Sequence, residues 1–255
     1  MDFDELDRTM RVFETNSDQC VLPSIYMVAR IDGRSFTRLT KERHAFDAPF
    51  DVRMRDHMVE TTRHLMQCGF RIVYGYTQSD EISLLFHRDE TAFQRKLRKL
   101  ISILAGEASA KFSLLLGDLG AFDCRICELP TRALVVDYFR WRMEDASRNA
   151  LSSHCYWLLR KQGQTMTSAT QALEGMSVAD KNELLFNNGI NFNTLPNWQK
   201  RGVGVFWESY SKVGHNPITQ ESVMAERRRL TTQLDLPMKD DYARLLGELL
   251  DSMDS

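Results

Sequence analysis

From Ser24 onward, short apolar runs alternate with longer stretches that carry an apolar residue every three or four positions. Ile25 to Ile31 reads as a strand ending on Asp32-Gly33. Residues 51–69 read as a helix, with Met54, Met58 and Leu65 on one face and Gly69 as its stop. Residues 70–87 read as a hairpin whose apolar arms run into and out of a polar tip, Gln78-Ser79-Asp80-Glu81. Residues 89–116 read as one long helix, with Phe93, Leu97, Leu100, Ile101 and Leu104 as its apolar stripe. Residues 121–129, AFDCRICEL, alternate as a strand does. Strand, helix, hairpin, helix, strand is a βαββαβ order. It predicts an α+β protein built on the split-βαβ, ferredoxin-like unit.

Flanking segments add to this unit. Residues 3–14 place Phe3, Leu6, Met10 and Phe13 at helical spacing. Residues 131–163 predict a long helix closed by Gly163, followed by two short helices that each end at a glycine. Residues 202–234 predict two strands around a polar Gly-Pro loop, and 239–253 a final helix. The expected organisation is a core over 1–130 and an elaboration of helices and a β-hairpin over 131–255. With no low-complexity linker between them, the two should form one continuous domain.

Composition narrows the function classes. A net charge of −2 carries no global basic bias, so any nucleic-acid footprint must be local. Five widely spaced cysteines do not suggest a disulfide framework and favour a reducing compartment. The start, MDFDELDRTM, lacks the apolar centre of a secretory signal, and no run is long and apolar enough for a membrane span. The expectation is a cytoplasmic protein. Cys124 and Cys127 lie three apart on a strand and so face opposite ways, which argues against a metal pair. Tyr74 and Tyr76 read as packing residues rather than a stacking platform.

The candidate chemistry lies in two carboxylates. Asp32 ends the first strand and Asp80 sits at the hairpin tip, neighbouring elements in a ferredoxin-like sheet. Mg²⁺ takes oxygen ligands, typically one or two carboxylates plus substrate phosphates, and a pair of such ions can serve both the attacking and the leaving oxygen. Gly33, without a Cβ, would let the backbone approach a ligand, and its carbonyl is itself a ligand candidate. The amides of Arg34, Ser35 and Phe36 are placed to meet a triphosphate. The competing explanation is ordinary turn chemistry, since Asp and Gly are common at strand ends and turns. Under strict strand alternation Glu81 would point away from Asp80.

The segments ARIDGRSFTRL and GYTQSDEISLLF, with FDCRICELP, VVDYFRWRMEDASRNAL and DKNELLFNNGINFNTLPNWQKRG after them, resemble the tRNA-His guanylyltransferase superfamily, the 3′-to-5′ reverse polymerases. The likeness spans residues 25–210 in order. It implies a polymerase-palm core with two Mg²⁺ ions, acting on tRNA with ATP or GTP. Such enzymes activate the tRNA 5′-phosphate, and a nucleotide 3′-hydroxyl then attacks that end. Carried over, Asp32, the Gly33 carbonyl and Asp80 become metal ligands, and Glu81 joins the catalytic set. Ser79, Asn149, Lys181 and Asn191 become nucleotide-contacting residues beside Gly33, Arg34, Ser35 and Phe36. Members are commonly homotetramers. Basic clusters such as RKLRKL (95–100) and AERRRL (225–230) ordinarily mean solvated faces. Given a tRNA substrate, Arg125, Arg132, Arg140, Arg148, Lys200 and Arg201 become candidates for phosphate contact.

Two departures from the pattern matter. Eukaryotic members carry HINNLYN where this chain has SRNALSS, with Ser147 at the histidine position and Ser153 at the last asparagine. That block accompanies strict G−1 addition to tRNA-His. Its loss places the chain nearer the bacterial and archaeal guanylyltransferase-like proteins, which repair 5′-truncated tRNA by templated addition. Ala48 stands where many relatives have a lysine suited to a triphosphate, so another cation must serve there. Strict G−1 addition, a palm-fold nucleotidyl cyclase and a tRNA-binding protein with a decayed site are the alternatives. A cyclase would release cyclic nucleotide without RNA, and a decayed site would bind tRNA without incorporation.

Overall fold

The computed structural model describes residues 2–215 and 222–253. Its centre is a six-stranded antiparallel sheet. Helix α1 (Phe3–Thr15) precedes β1 (Tyr26–Gly33), α2 (Val52–Leu65), the hairpin β2 (Ile72–Gln78) and β3 (Glu81–Phe86), α3 (Leu97–Leu116) and β4 (Phe122–Leu129). These strands are ordered β4-β1-β3-β2, and the βαββαβ unit is present. The long helix α4 (Arg132–Lys161) follows, then α5 (Met166–Leu173), α6 (Val178–Asn187) and α7 (Asn197–Arg201). Strands β5 (Val203–His215) and β6 (Ser222–Gln233) extend the sheet beyond β2, and α8 (Lys239–Asp251) closes the chain. The tip between β5 and β6, where the Gly-Pro loop is predicted, lies outside the described residues.

The central strands are covered on both faces, which is why β1 and β3 read as nearly continuous apolar runs. On one face Met27, Ala29 and Ile31 of β1 and Ile82, Leu84 and Phe86 of β3 pack against α2 and α3. On the other, Val28 and Leu85 meet Val135 and Phe139 of α4 and Leu246 of α8. A bulge between Ile72 and Tyr74 shifts the register of β2, so Ile72 joins the first core while Tyr74 and Tyr76 join the second. Both tyrosines are buried, as packing residues are. Cys124 packs toward the first core and Cys127 toward the second, as strand alternation requires.

Two predicted helices are shortened. The helix over 89–116 begins only at Leu97, because Phe93, Gln94 and Arg95 take left-handed φ values in a tight turn. The buried guanidinium of Arg95 there donates to the carbonyls of Ile25 and Arg88. Phe93 consequently sits half outside the core, whose helix face is Leu100, Leu104, Ala108 and Phe112. The helix over 51–69 stops at Leu65, leaving Gly69 beyond it with φ 99°. In α1 the apolar stripe is present, but none of its residues is buried.

Candidate active site

The site forms where β1 ends beside the β2–β3 turn. Gln78 pairs with Glu81, so the turn is two residues, Ser79-Asp80, and Ser79 takes the left-handed φ of 54° that such a tight connection needs. Asp32 is the direct cross-strand partner of Glu81, which puts both side chains on one face of the sheet. The Gly33 amide donates to the Asp80 carbonyl at 3.0 Å, tying strand end to turn. Asp32, Ser79, Asp80 and Glu81 consequently line one polar cavity, together with Arg30, Arg142 and Asn149. Glu81 does not point away: Asp80 sits in the turn and escapes strand alternation.

Glu81 is committed to arginines. Arg142 of α4 donates from Nε at 2.8 Å and from Nη2 at 2.9 Å in a two-pronged contact, and Arg30 closes on the same carboxylate. Arg142 also reaches Asp145 at 3.2 Å, and Arg30 reaches Asp32 at 3.4 Å. Burial pushes the Glu81 carboxyl up while the two guanidiniums pull it back. Among the described residues Asp80 has no such cation. Burial drives its pKa up to about 6, with the charges of Asp32 and Glu81 adding to the rise and the Asp80 amide and Ser79 hydroxyl opposing it.

Oxygen chemistry fits Mg²⁺ here. Asp80 is a desolvated carboxylate with no ion pair among the described residues, and Asp32 makes only the 3.4 Å contact with Arg30. Among the described residues no group of three or more His, Cys, Asp and Glu side chains forms a ready-made metal cage. Two carboxylates completed by a carbonyl and substrate oxygens is the arrangement Mg²⁺ usually adopts.

Other predicted residues fall in different places. A Cβ on Gly33 would lie 2.5 Å from the Phe36 ring, so that ring, not a ligand, demands the glycine. The Arg34 amide is spent on the Ala121 carbonyl at 2.8 Å, and the Phe36 ring is core, packed at a tilt against Phe112 and Phe122. The cradle of amides over 33–36 is thereby reduced to Ser35 and Phe36. Lys181 donates to Ser152 at 3.0 Å and exposed Asn191 caps its own turn; neither lines the site cavity. Of the basic candidates, Arg140, Arg148, Lys200 and Arg201 border one cleft beside Lys239. Lys200 is buried with its ammonium on the Asn193 carbonyl, and Arg201 is tied to the Leu236 carbonyl. Arg132 clamps α8 through Asp251 and the Gly247 carbonyl, and Arg125 stays exposed on β4. In RKLRKL, Lys96 and Arg98 both pair with Asp18.

A second, more apolar cavity adjoins the first, and Pro49, Phe50, Gln78, Ser79, Asp80 and Ser153 border both. Sequence reasoning missed Arg30 as a site residue, although it shares a strand face with Asp32 two positions on. It also missed Lys41, Trp157 and Trp198.

A covered central sheet that brings two carboxylates to one end is an arrangement compatible with nucleotidyl transfer, and the relatives of the chain are nucleotidyltransferases. A family model described as "tRNAHis guanylyltransferase" matches residues 7–130, and one described as "Thg1 C terminal domain" matches 133–240. The chain belongs to the tRNAHis guanylyltransferase family. It is 31% identical over 231 residues to the tRNA(His) guanylyltransferase of Schizosaccharomyces pombe, covering 87% of this chain and 88% of that one. It is 35% identical over 199 residues to that of Neurospora crassa, covering 73% and 68%. A bacterial Thg1-like protein solved in complex with ATP superposes with a TM-score of 0.74 at 26% identity, covering 96% of this chain and 99% of that chain. The same kind of protein has been solved with GTP, at a TM-score of 0.72 and the same identity and coverage. No helix among the described residues is long and apolar enough to cross a membrane.

Proposed function

We propose that this protein adds nucleotides in the 3′-to-5′ direction to the 5′ end of tRNA, and that its task is templated repair of 5′-truncated tRNA. The observation that carries the reading is the convergence of Asp32, Asp80 and Glu81 on one cavity in a chain of this family. Asp32, Asp80 and the Gly33 carbonyl would hold Mg²⁺, two ions in the full reading. Bound there, Mg²⁺ would neutralise phosphate charge and lower the pKa of an attacking hydroxyl. Activation joins the tRNA 5′-phosphate to the α-phosphorus of ATP or GTP and releases pyrophosphate. The 3′-hydroxyl of the incoming nucleotide then attacks the tRNA 5′-phosphorus and displaces the nucleoside monophosphate. Glu81 holds Arg30 and Arg142 at the cavity wall, where they would meet bound phosphates with whatever charge their carboxylate partners leave. The tRNA backbone would follow the cleft at Arg140 and Arg148. A cytoplasmic homotetramer is part of the same reading.

Strict G−1 addition to tRNA-His is the second reading, supported by the names of the eukaryotic relatives. Against it, Ser153 rather than an asparagine borders both cavities. The deciding assay follows labelled 5′-truncated tRNA and intact tRNA-His with ATP, GTP and Mg²⁺, in wild type, D32A and D80A. Repair predicts extension of the truncated tRNA and loss of it in both variants. Undiminished addition by either variant would end the assignment, and extension of tRNA-His alone would establish the second reading.

A further inference from the structure

The two adjoining cavities differ in kind. The one around Asp32 is polar and carries Arg30 and Arg142, as phosphates require. The other is walled by Phe36, Phe50, Met54, Met58, Trp157 and Trp198, surfaces that suit the faces of a nucleobase. With phosphates at Asp80, the base of the same nucleotide falls in the aromatic cavity. This step rests on the nucleotide site proposed above.

Most charged groups around the aromatic cavity are already engaged. The Asp51 oxygens accept from the Arg53 guanidinium and from the amides of Asp47 and Arg53. Arg55 pairs with Asp56 and lies over the Trp198 ring at 4.9 Å. The Thr40 hydroxyl donates to the Phe36 carbonyl. Lys41 is different. Among the described residues its half-buried ammonium makes no direct ion pair; it donates to the carbonyls of Asp47 at 2.6 Å and Pro49 at 3.3 Å, lies 5.9 Å from the centre of the Trp157 ring, and feels the carboxylates of Asp51 and Asp47 and the charge of Lys161 at longer range. An ammonium carries three N–H donors, so one remains for a ligand. Burial lowers the Lys41 pKa and the charge of Lys161 adds to the drop, while the carboxylates of Asp51 and Asp47 oppose it.

We propose that Lys41 is a specificity-determining residue: its third N–H donates to O6 of a guanine in the aromatic cavity and favours guanine over adenine. Guanine presents the O6 and N7 acceptors that lysine commonly reads, whereas adenine presents an amine at the same corner, donor against donor. Lys41 lies on a short π-helix, Arg38–Arg43, and Lys161 of α4 independently secures the same wall by donating to the Ala48 carbonyl at 3.1 Å. Removing Lys41 therefore leaves that wall one of its ties.

The test is calorimetric titration of wild type, K41M and K41R with four triphosphates and Mg²⁺, without RNA. GTP and inosine triphosphate carry O6; ATP and 2-aminopurine riboside triphosphate do not. The expected wild-type preference for the O6 pair is about tenfold. In K41M it collapses to within about twofold, and K41R restores it. A purely structural Lys41 would weaken all four equally and keep the ratio, which overturns the proposal. Equal binding of all four by wild type overturns it too, and decides the matter even if K41M fails to fold. A wild type that binds none of the four overturns the nucleotide site and this inference with it.

Discussion

Replacing Glu81 by Gln probes what holds the site together, apart from its chemistry. Glu81 is 8% exposed, and its carboxylate accepts three N–H groups from two guanidiniums. Breaking a buried ion pair typically costs about 3–5 kcal/mol, because the remaining charge is left uncompensated. Here Arg142 keeps Asp145 at 3.2 Å and Arg30 keeps Asp32 at 3.4 Å, so each cation retains part of its compensation. The amide keeps one acceptor but turns an N–H₂ donor toward a guanidinium. A loss of about 2–3 kcal/mol follows, or about 5–10 °C in melting temperature for a chain of this size. Thermal melts of wild type, E81Q, R142M and the double variant supply the measurement. The cycle should show the double variant less damaged than the sum of the singles by about 1–2 kcal/mol. An E81Q melt within about 2 °C of wild type, or strict additivity, would refute the reasoning.

Three further outcomes follow from the same geometry. Burial holds the folded Asp80 pKa at about 6, above its unfolded value of about 3.9, so its contribution is intact below the unfolded value and is lost as pH rises through about 6. D80N should therefore stabilise the metal-free protein at neutral pH by about 1–2 kcal/mol, read by denaturant melts, while abolishing nucleotide addition. Asp51 runs the other way: the Arg53 guanidinium and two amides hold its carboxyl well below the usual range, so its contribution is present above about pH 4 and fades on acidification. D51A, which also loses the α2 cap, should cost about 2–3 kcal/mol at neutral pH and less at pH about 3, checked by urea melts at both. G33A should displace the Phe36 ring and lower the melting temperature, and an F36L background should recover part of the loss.

How much of this was legible in the sequence depends on how far apart the partners are. The βαββαβ order was readable because strand and helix periods differ and each buried face repeats its own. The exception, Phe93, lies where three successive residues take left-handed φ, which leaves no periodic trace. Asp32 and Asp80 were readable because a strand end and a tight turn carry their own signatures. Arg30 was within reach, since residues two apart on a strand share a face. The partners of Glu81 were not: Arg142 lies 61 positions away and meets it only because α4 docks across the sheet. Lys41 was hidden for another reason, as it stands on a π-helix whose irregular turn no apolar period announces. The charge pattern at the turn therefore changes meaning once folded. Asp80 and Glu81, adjacent and chemically alike, enter one cavity, and the arginines divide their labour. Glu81 is neutralised and becomes a strut, while Asp80 keeps an uncompensated charge at the cavity where a cation would be held.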